Sequence, residues 1–378
     1  MNVIFTCGGT GGHIIPAIAV ANLWMEHHPD SKILFVGAVG GMEEQLVPKA
    51  GYELVTFPGD GMYRDFSPSG IKKNCRTLRL LANATRECKK IIRSFRADVV
   101  VGTGGYASLP MLMAAGMLKI PTCVHESNAV PGLTTRIAAR WVDKILVCFP
   151  LSAQYYKDQS KVQVVGMPVR NEFIYNRKQP CREKLGLDER PVILSAFGSQ
   201  GAKAMNEMTA ELMRMEMDAG YPFQHIHAVG SNGWVWMPDL VRSKGVDTEN
   251  NDAIFLKEYL YDMPTAMAAA DIVIGRAGAS TCNEIAASGT PCILIPSPNV
   301  TANHQEKNAR TLEAQGAAAV ILEKECTAQA VFDKIQSILA DQQAYQAMEK
   351  ALLDMSVPDS AQRLCKIMED LISGNKRR

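Results

Sequence analysis

Along this chain one unit of patterning recurs. A short run of β-branched and other apolar residues is followed by a turn of glycines or small hydroxylic residues, and then by a segment with helical spacing. In the first half the apolar runs fall at 3–7, 33–36, 54–57, 99–101, 122–124, 145–148 and 162–165, and each predicts a buried strand. In the second half they fall at 192–197, 226–229, 254–256, 272–274, 293–295 and 318–321. Strands alternating with helical segments predict an α/β protein with parallel, doubly wound sheets. The pattern breaks at Gly166-Met167-Pro168-Val169-Arg170, where Pro168 stops regular structure, and restarts at Val192. Two Rossmann-like domains facing one another across a cleft are expected. The first spans 1–168 together with a tail from about 357 to 378 that crosses back to it, and the second spans 169–356. Residues 342–371 read as two helices, 176–190 as a polar connector, and Lys376-Arg377-Arg378 as a disordered end.

The turns carry the candidate chemistry. In 271–309 a strand runs into Ala277, Gly278, Ala279, Ser280 and Thr281, and then into a helix with little bulk at its start. Free backbone N–H groups and the positive end of the helix dipole favour an anion there. GGTGGH at 8–13 repeats this logic, as a phosphate loop or as a tightly packed βα turn, and GTGGY at 102–106 lies at the carboxyl edge of the same sheet. GSQGA at 198–202 is a further small-residue turn. The strand at 122–124 ends in His125-Glu126-Ser127-Asn128, a titratable cluster whose His is either structural or catalytic. His225 and His227 share a strand face without a third metal ligand nearby, which favours a packed or surface role, and the Met205, Met208 and Met213 stripe reads as core.

Composition narrows the class. A chain of 378 residues suits two cores, and a net charge of +1 with 21% charged residues argues against a general nucleic-acid binder. The longest apolar run, 109–118, is half what a bilayer span requires, and the N-terminus lacks the basic region of a signal peptide, which predicts a cytoplasmic protein. Ten scattered cysteines predict reduced thiols. One local exception to neutrality is 69–96, where Ile71, Leu78, Leu81, Ile91, Ile92 and Phe95 mix with Lys72, Lys73, Arg76, Arg79, Arg86, Lys89, Lys90 and Arg93. It is either a solvated outer helix face or a surface that meets anionic lipid.

Seven motifs in chain order, GGTGGH, GTGGY, HESNAVPG at 125–132, GMPVR at 166–170, GSQGA, RAGASTCNEIAASG at 276–289 and HQEKNA at 304–309, closely resemble the MurG family of peptidoglycan N-acetylglucosaminyltransferases, over nearly the whole chain. The resemblance implies the GT-B architecture. It implies inverting transfer of GlcNAc from UDP-GlcNAc to the 4-hydroxyl of MurNAc in lipid I, giving lipid II for cell-wall synthesis, cell shape and division. It implies a protein peripheral to the cytoplasmic face of the cell membrane, working on an anionic inner-membrane surface alongside other cell-wall synthesis proteins. A UDP-GlcNAc 2-epimerase or a diacylglycerol glycosyltransferase of the same fold is the alternative. The resemblance places Ser199, Gln200, Ser280 and Thr281 at the diphosphate, Arg170 near the nucleotide, Glu284 at the ribose, and Leu260 and Met263 at the uracil. Gln305 and Asn128 fall to the sugar, and Thr10, Gly11 and Gly12 to the donor side. Gly8, Gly9, Thr103, Gly104, Gly105 and Tyr106 fall to the acceptor. His304 stands where some members carry a second glutamine. No resident cofactor or metal is implied, although Mg²⁺ can accompany the diphosphate. The reaction needs a base for the incoming hydroxyl. His13 is the first candidate, with helix capping or phosphate binding as its other reading, and Glu126 with His125 compete for the role.

Overall fold

The computed structural model describes residues 1–58, 68–248 and 250–375, with the side chains of 68–78 outside it. The tail Lys376-Arg377-Arg378 therefore lies outside the described residues, as do the side chains of Ile71, Lys72, Lys73, Arg76 and Leu78. The chain forms two compact units, Met1–Val169 with Val357–Arg378, and Arg170–Ser356.

In the first unit β1 (Asn2–Thr6), β2 (Lys32–Ala38), β3 (Glu53–Phe57), β4 (Val99–Gly102), β5 (Thr122–Glu126), β6 (Lys144–Val147) and β7 (Val162–Val164) form one parallel sheet in the order β3-β2-β1-β4-β5-β6-β7. Side chains of alternate residues leave a strand on opposite faces. Ile4, Val100, Val124 and Ile145 accordingly join one core with Met111 and Leu112, and Val3, Phe5, Val99, Val101 and Cys123 join a second with Ile14, Val20 and Trp24. Strands buried on both faces explain the unbroken apolar runs in the sequence. The terminal helix Ser360–Asn375 completes the second core through Leu364, Cys365, Met368 and Ile372.

The second unit has β8 (Val192–Ala196), β9 (Gln224–Ala228), β10 (Ile254–Lys257), β11 (Ile272–Gly275), β12 (Cys292–Leu294) and β13 (Ala319–Val320), parallel in the order β10-β9-β8-β11-β12-β13. The stretch 176–190 departs from a plain connector by forming the helix Lys178–Leu185, capped by Gly186 in the left-handed region. Only Cys181 of that helix is buried, so no apolar face marks it in the sequence. Lys178 and Arg182 pair with Asp271 at the start of β11 and fasten it to the sheet.

The helix Pro68–Phe95 corrects one half of the lipid-contact expectation. Ile92 is buried and Leu81, Ile91 and Phe95 pack against the core, so these apolar side chains serve the fold rather than an interface. Arg79, Arg86, Lys90 and Arg93 are exposed on the other side. Among the described residues, no helix is long and apolar enough to cross a membrane. The described cysteines are free thiols, all buried except Cys326.

Candidate active site

Each sheet has one position where the strand order reverses, between β1 and β4 in the first unit and between β8 and β11 in the second. Ligands of open parallel sheets bind beyond the carboxyl ends of the strands at such points. The glycine and small-residue loops fall there: 8–13 after β1, 103–106 after β4, 198–202 after β8 and 276–279 after β11.

In the first unit Thr10 is the extended residue before the helix Gly11–His27, so Gly11, Gly12 and His13 supply its first turn. The His13 amide donates to the Thr10 carbonyl at 3.1 Å, while those of Gly11 and Gly12 have no carbonyl four residues earlier in the helix to bond and point toward a ligand position. His13 is half-buried, and its Nδ1 lies 2.9 Å from the carbonyl oxygen of Thr103. A carbonyl only accepts, so Nδ1 carries the proton and the lone pair of the neutral ring is on Nε2. Thr103 Oγ1 in turn donates to the His13 carbonyl at 2.6 Å, locking the two loops together. Gly104, with φ +106°, is the residue that permits this approach, because a Cβ there would stand 2.6 Å from His13 Nδ1. A Cβ on Gly105 would collide with the Gly8 carbonyl oxygen. Tyr106 stands beside Gly9.

Sequence reasoning missed Glu43. This fully buried carboxylate lies beneath the first loop, accepting from the Gly9 amide at 3.2 Å through Oε2 and from the Ala38 amide at 3.0 Å through Oε1. Gly8, Gly37 and Gly41 all crowd it, since a Cβ on any of them would meet its carboxylate end. In the sequence Glu43 resembles an ordinary first-turn acid; the flanking glycines are the only signal of its burial.

His125 and Glu126 both make contacts within the first unit. His125 is buried, and its Nε2 lies 2.9 Å from the Gly166 carbonyl; burial pushes its pKa down. Glu126 uses one oxygen for the Asn128 amide (3.0 Å) and Asn128 Nδ2 (3.1 Å), and the other for the Gly132 amide (3.0 Å). Glu126 thus braces the loop that presents Asn128, and His125 ties β5 to the segment at Gly166.

In the second unit Ser199 and Gln200 are exposed on a loop entered through Gly198 at φ +97°. Gly278 is the N-cap of the helix Ala279–Ser288, which places Ser280 and Thr281 in its first turn and Glu284 one turn further. Burial raises the pKa of Glu284 above the ordinary 4.5, opposed by the Arg170 cation. Arg170 also stands over the Phe173 ring at 5.2 Å. Gln305 opens the helix His304–Ala314, and its Oε1 accepts from the Ser297 amide at 2.9 Å, which leaves its NH₂ as the donor for a ligand. His304 Nδ1 is held by the Thr301 carbonyl at 2.9 Å. Leu260 and Met263 are half-buried where the helix Met263–Ala269 begins.

Two doubly wound units, each with small-residue loops and a helix start at its switch point, provide seats for a phosphate-bearing ligand, and the family matches give the class as glycosyltransferase. Residues 3–147 match the glycosyltransferase family 28 N-terminal domain and residues 192–364 match the family 28 C-terminal domain. The chain is similar to the UDP-N-acetylglucosamine--N-acetylmuramyl-(pentapeptide) pyrophosphoryl-undecaprenol N-acetylglucosamine transferase of Caldanaerobacter subterraneus subsp. tengcongensis. Identity is 40%, over 98% of this chain and 100% of that protein. The protein of the same name from Bacillus cytotoxicus is 37% identical, over 98% and 100%. The chain therefore belongs to this N-acetylglucosamine transferase family, the MurG family. The crystal structure of Acinetobacter baumannii MurG is similar at 25% identity, with a TM-score of 0.75 over 98% of this chain and 99% of that one. A UDP-GlcNAc 2-epimerase from Neisseria meningitidis bound to UDP-GlcNAc shares the fold at 17% identity, with a TM-score of 0.65 over 98% and 100% of the two chains.

Proposed function

We infer that this enzyme transfers GlcNAc from UDP-GlcNAc to the 4-hydroxyl of the MurNAc unit of undecaprenyl-pyrophosphoryl-MurNAc-pentapeptide, with inversion. The observation that carries the reading is full-length identity of 36–40% to transferases of that name. The site chemistry agrees with it. Attack by a sugar hydroxyl needs a base, and His13 Nε2 holds a lone pair while Nδ1–H is anchored on the Thr103 carbonyl, which also stabilises the imidazolium that forms. Glu126 and His125 are committed to loop contacts, which makes His13 the base in this reading. The departing UDP carries charge, and the first turn at Ala279, Ser280 and Thr281 offers amides, hydroxyls and a helix dipole to receive it. Ser199 and Gln200 join them on the neighbouring loop, and Arg170 supplies a permanent cation. In this reading Glu284 is assigned to the ribose hydroxyls, Leu260 and Met263 to the uracil, and the Gln305 amide and Asn128 to the GlcNAc. The acceptor pyrophosphate falls to Gly8, Gly9, Gly104 and Gly105, with Thr103 and Tyr106 beside them, and Thr10, Gly11 and Gly12 face the donor.

The test is transfer from radiolabelled UDP-GlcNAc with lipid I and diacylglycerol offered separately. Labelled lipid II is expected; product on diacylglycerol alone would overturn the reading.

Glu284 gives a pH prediction. Its raised pKa means that the unliganded native state takes up a proton more readily than the unfolded chain. Its contribution to stability is therefore greatest below 4.5 and declines as pH rises through the shifted value. Nucleotide binding should run the other way, because only the carboxylate accepts two hydroxyls. UDP affinity, measured by calorimetry, should begin to fall on acidification before pH reaches 4.5, and Glu284→Gln should remove that component. An unchanged pH profile in the variant would exclude the ribose role.

We further propose that the exposed basic side of the helix Pro68–Phe95 meets anionic lipid. Arg79, Arg86, Lys90 and Arg93 support this, each attracted by about 1 kcal/mol near a charged surface. Flotation with vesicles containing anionic lipid should be strong at low salt and lost at high salt; equal recovery with neutral vesicles would refute it.

A further inference from the structure

Beneath the donor-side loop of the second unit runs an unbroken chain of buried polar side chains that the reaction does not use. Glu216, His225, Ser195, His227 and Asn206 are each 0–1% exposed. Glu216 Oε1 lies 2.8 Å from His225 Nδ1, His225 Nε2 lies 2.7 Å from Ser195 Oγ, and Ser195 Oγ lies 2.6 Å from His227 Nδ1. His227 Nε2 lies 3.2 Å from Asn206 Oδ1, and Asn206 Nδ2 donates to the Val229 carbonyl at 2.9 Å.

The direction of every hydrogen bond follows from the last of these. A backbone carbonyl only accepts, so the nitrogen of Asn206 faces Val229 and its Oδ1 faces His227. Oδ1 accepts, so His227 Nε2 carries a proton, and a neutral His227 must then accept at Nδ1 from the Ser195 hydroxyl. Burial keeps His227 neutral, pushing its pKa down to about 3. Having donated its only proton to His227, Ser195 accepts from His225 Nε2–H. One proton remains to be shared between His225 Nδ1 and Glu216. The two histidines thus differ in kind: His227 holds its proton on Nε2 and is barred from a second one, whereas His225 donates from Nε2 and closes the chain against a carboxylate.

The far end of the chain touches the donor loop. Val229 leads into residues whose amides hold that loop, Ser231 N donating to the Ser199 carbonyl at 3.2 Å and Asn232 N to the Gln200 carbonyl at 3.1 Å. Gly201 packs so closely that a Cβ on it would collide with the Val229 carbonyl oxygen, and one on Gly233 would meet Asn206 Nδ2. A shift of the Val229 carbonyl must therefore move Ser199 and Gln200.

We propose that Glu216, His225, Ser195, His227 and Asn206 are positioning residues, a directional hydrogen-bond relay that sets the Ser199–Gln200 loop for the nucleotide diphosphate. This rests on the donor role given to that loop above. His227→Phe keeps a ring in the core but interrupts the relay. It should weaken UDP binding by about tenfold or more, the effect of stranding buried hydrogen-bonding groups. KM for lipid I should stay unchanged. His227→Gln, whose amide can again accept from Ser195 and donate to Asn206, should recover most of the affinity. Wild-type affinity in His227→Phe, or equal losses in both variants, would overturn the proposal. Should His227→Phe not fold, ¹⁵N spectroscopy of the wild-type histidines still decides. A neutral His227 protonated on Nε2 from about pH 5 to 8 is required, and a proton on Nδ1 or titration in that range refutes the relay. Failure of the wild-type protein to bind UDP would instead count against the donor reading, and the ¹⁵N result would stand apart from it.

Discussion

Replacing His13 by alanine is expected to lower kcat with a soluble lipid I analogue by 10²–10⁴-fold, the usual contribution of a general base. KM for UDP-GlcNAc should change little. The geometry makes the result specific to the proton rather than to the ring's bulk. His13 is held by its Nδ1–H on the Thr103 carbonyl, so the variant loses that hydrogen bond and a half-buried ring, while the loop keeps the Gly9 to Glu43 contact beneath it. Far-UV circular dichroism and the unfolding midpoint should therefore remain close to wild type. His13→Gln, which retains a donor for the carbonyl but no titratable nitrogen, should be as inactive as the alanine variant. A loss under about tenfold in either would remove His13 as the base.

The second large effect is expected from Gly105→Ala, and Gly40→Ala is its internal control. Both glycines sit at φ +81°, so an alanine at either pays the left-handed conformational cost of roughly 1–2 kcal/mol. They differ in surroundings: nothing lies within 4 Å of a Cβ at Gly40, whereas one at Gly105 collides with the carbonyl oxygen of Gly8. Gly40→Ala should therefore lose only the backbone term and remain active. Gly105→Ala must in addition force the 8–13 and 103–106 loops apart, removing the His13 to Thr103 contact, and should be less stable by a further 1–3 kcal/mol, the range for overpacking a tight site. Denaturant midpoints and turnover measured side by side check this. Equal losses in the two variants would mean that the loops do not interlock.

What the sequence conveyed and what it concealed divide along a physical line. The central strands were legible because they are covered on both faces and so read as apolar runs, as in 99–101 and 272–274. The loops were legible because glycine at their positive-φ positions is nearly obligatory, as at Gly104 and Gly198. The function of Glu43 was not, because its burial is produced by Gly37, Gly41 and the distant Gly8 closing around it. The relay was hidden for the same reason. His225 and His227 announce a shared strand face, but Glu216 and Asn206 reach them from the helix Lys203–Asp218, and no spacing rule links the two. The helix Pro68–Phe95 misled in the opposite sense, since a mixture of apolar and basic residues looks alike whether its apolar side faces lipid or its own core.

The return of the terminal helix Ser360–Asn375 to the first unit has a consequence for biosynthesis. The second unit is an insertion between Val169 and Val357, wholly translated while the first still lacks Leu364, Met368 and Ile372 of its core. On the ribosome the second unit can finish folding first, and the first unit must wait with one face of its sheet incompletely covered until the helix Ser360–Asn375 emerges.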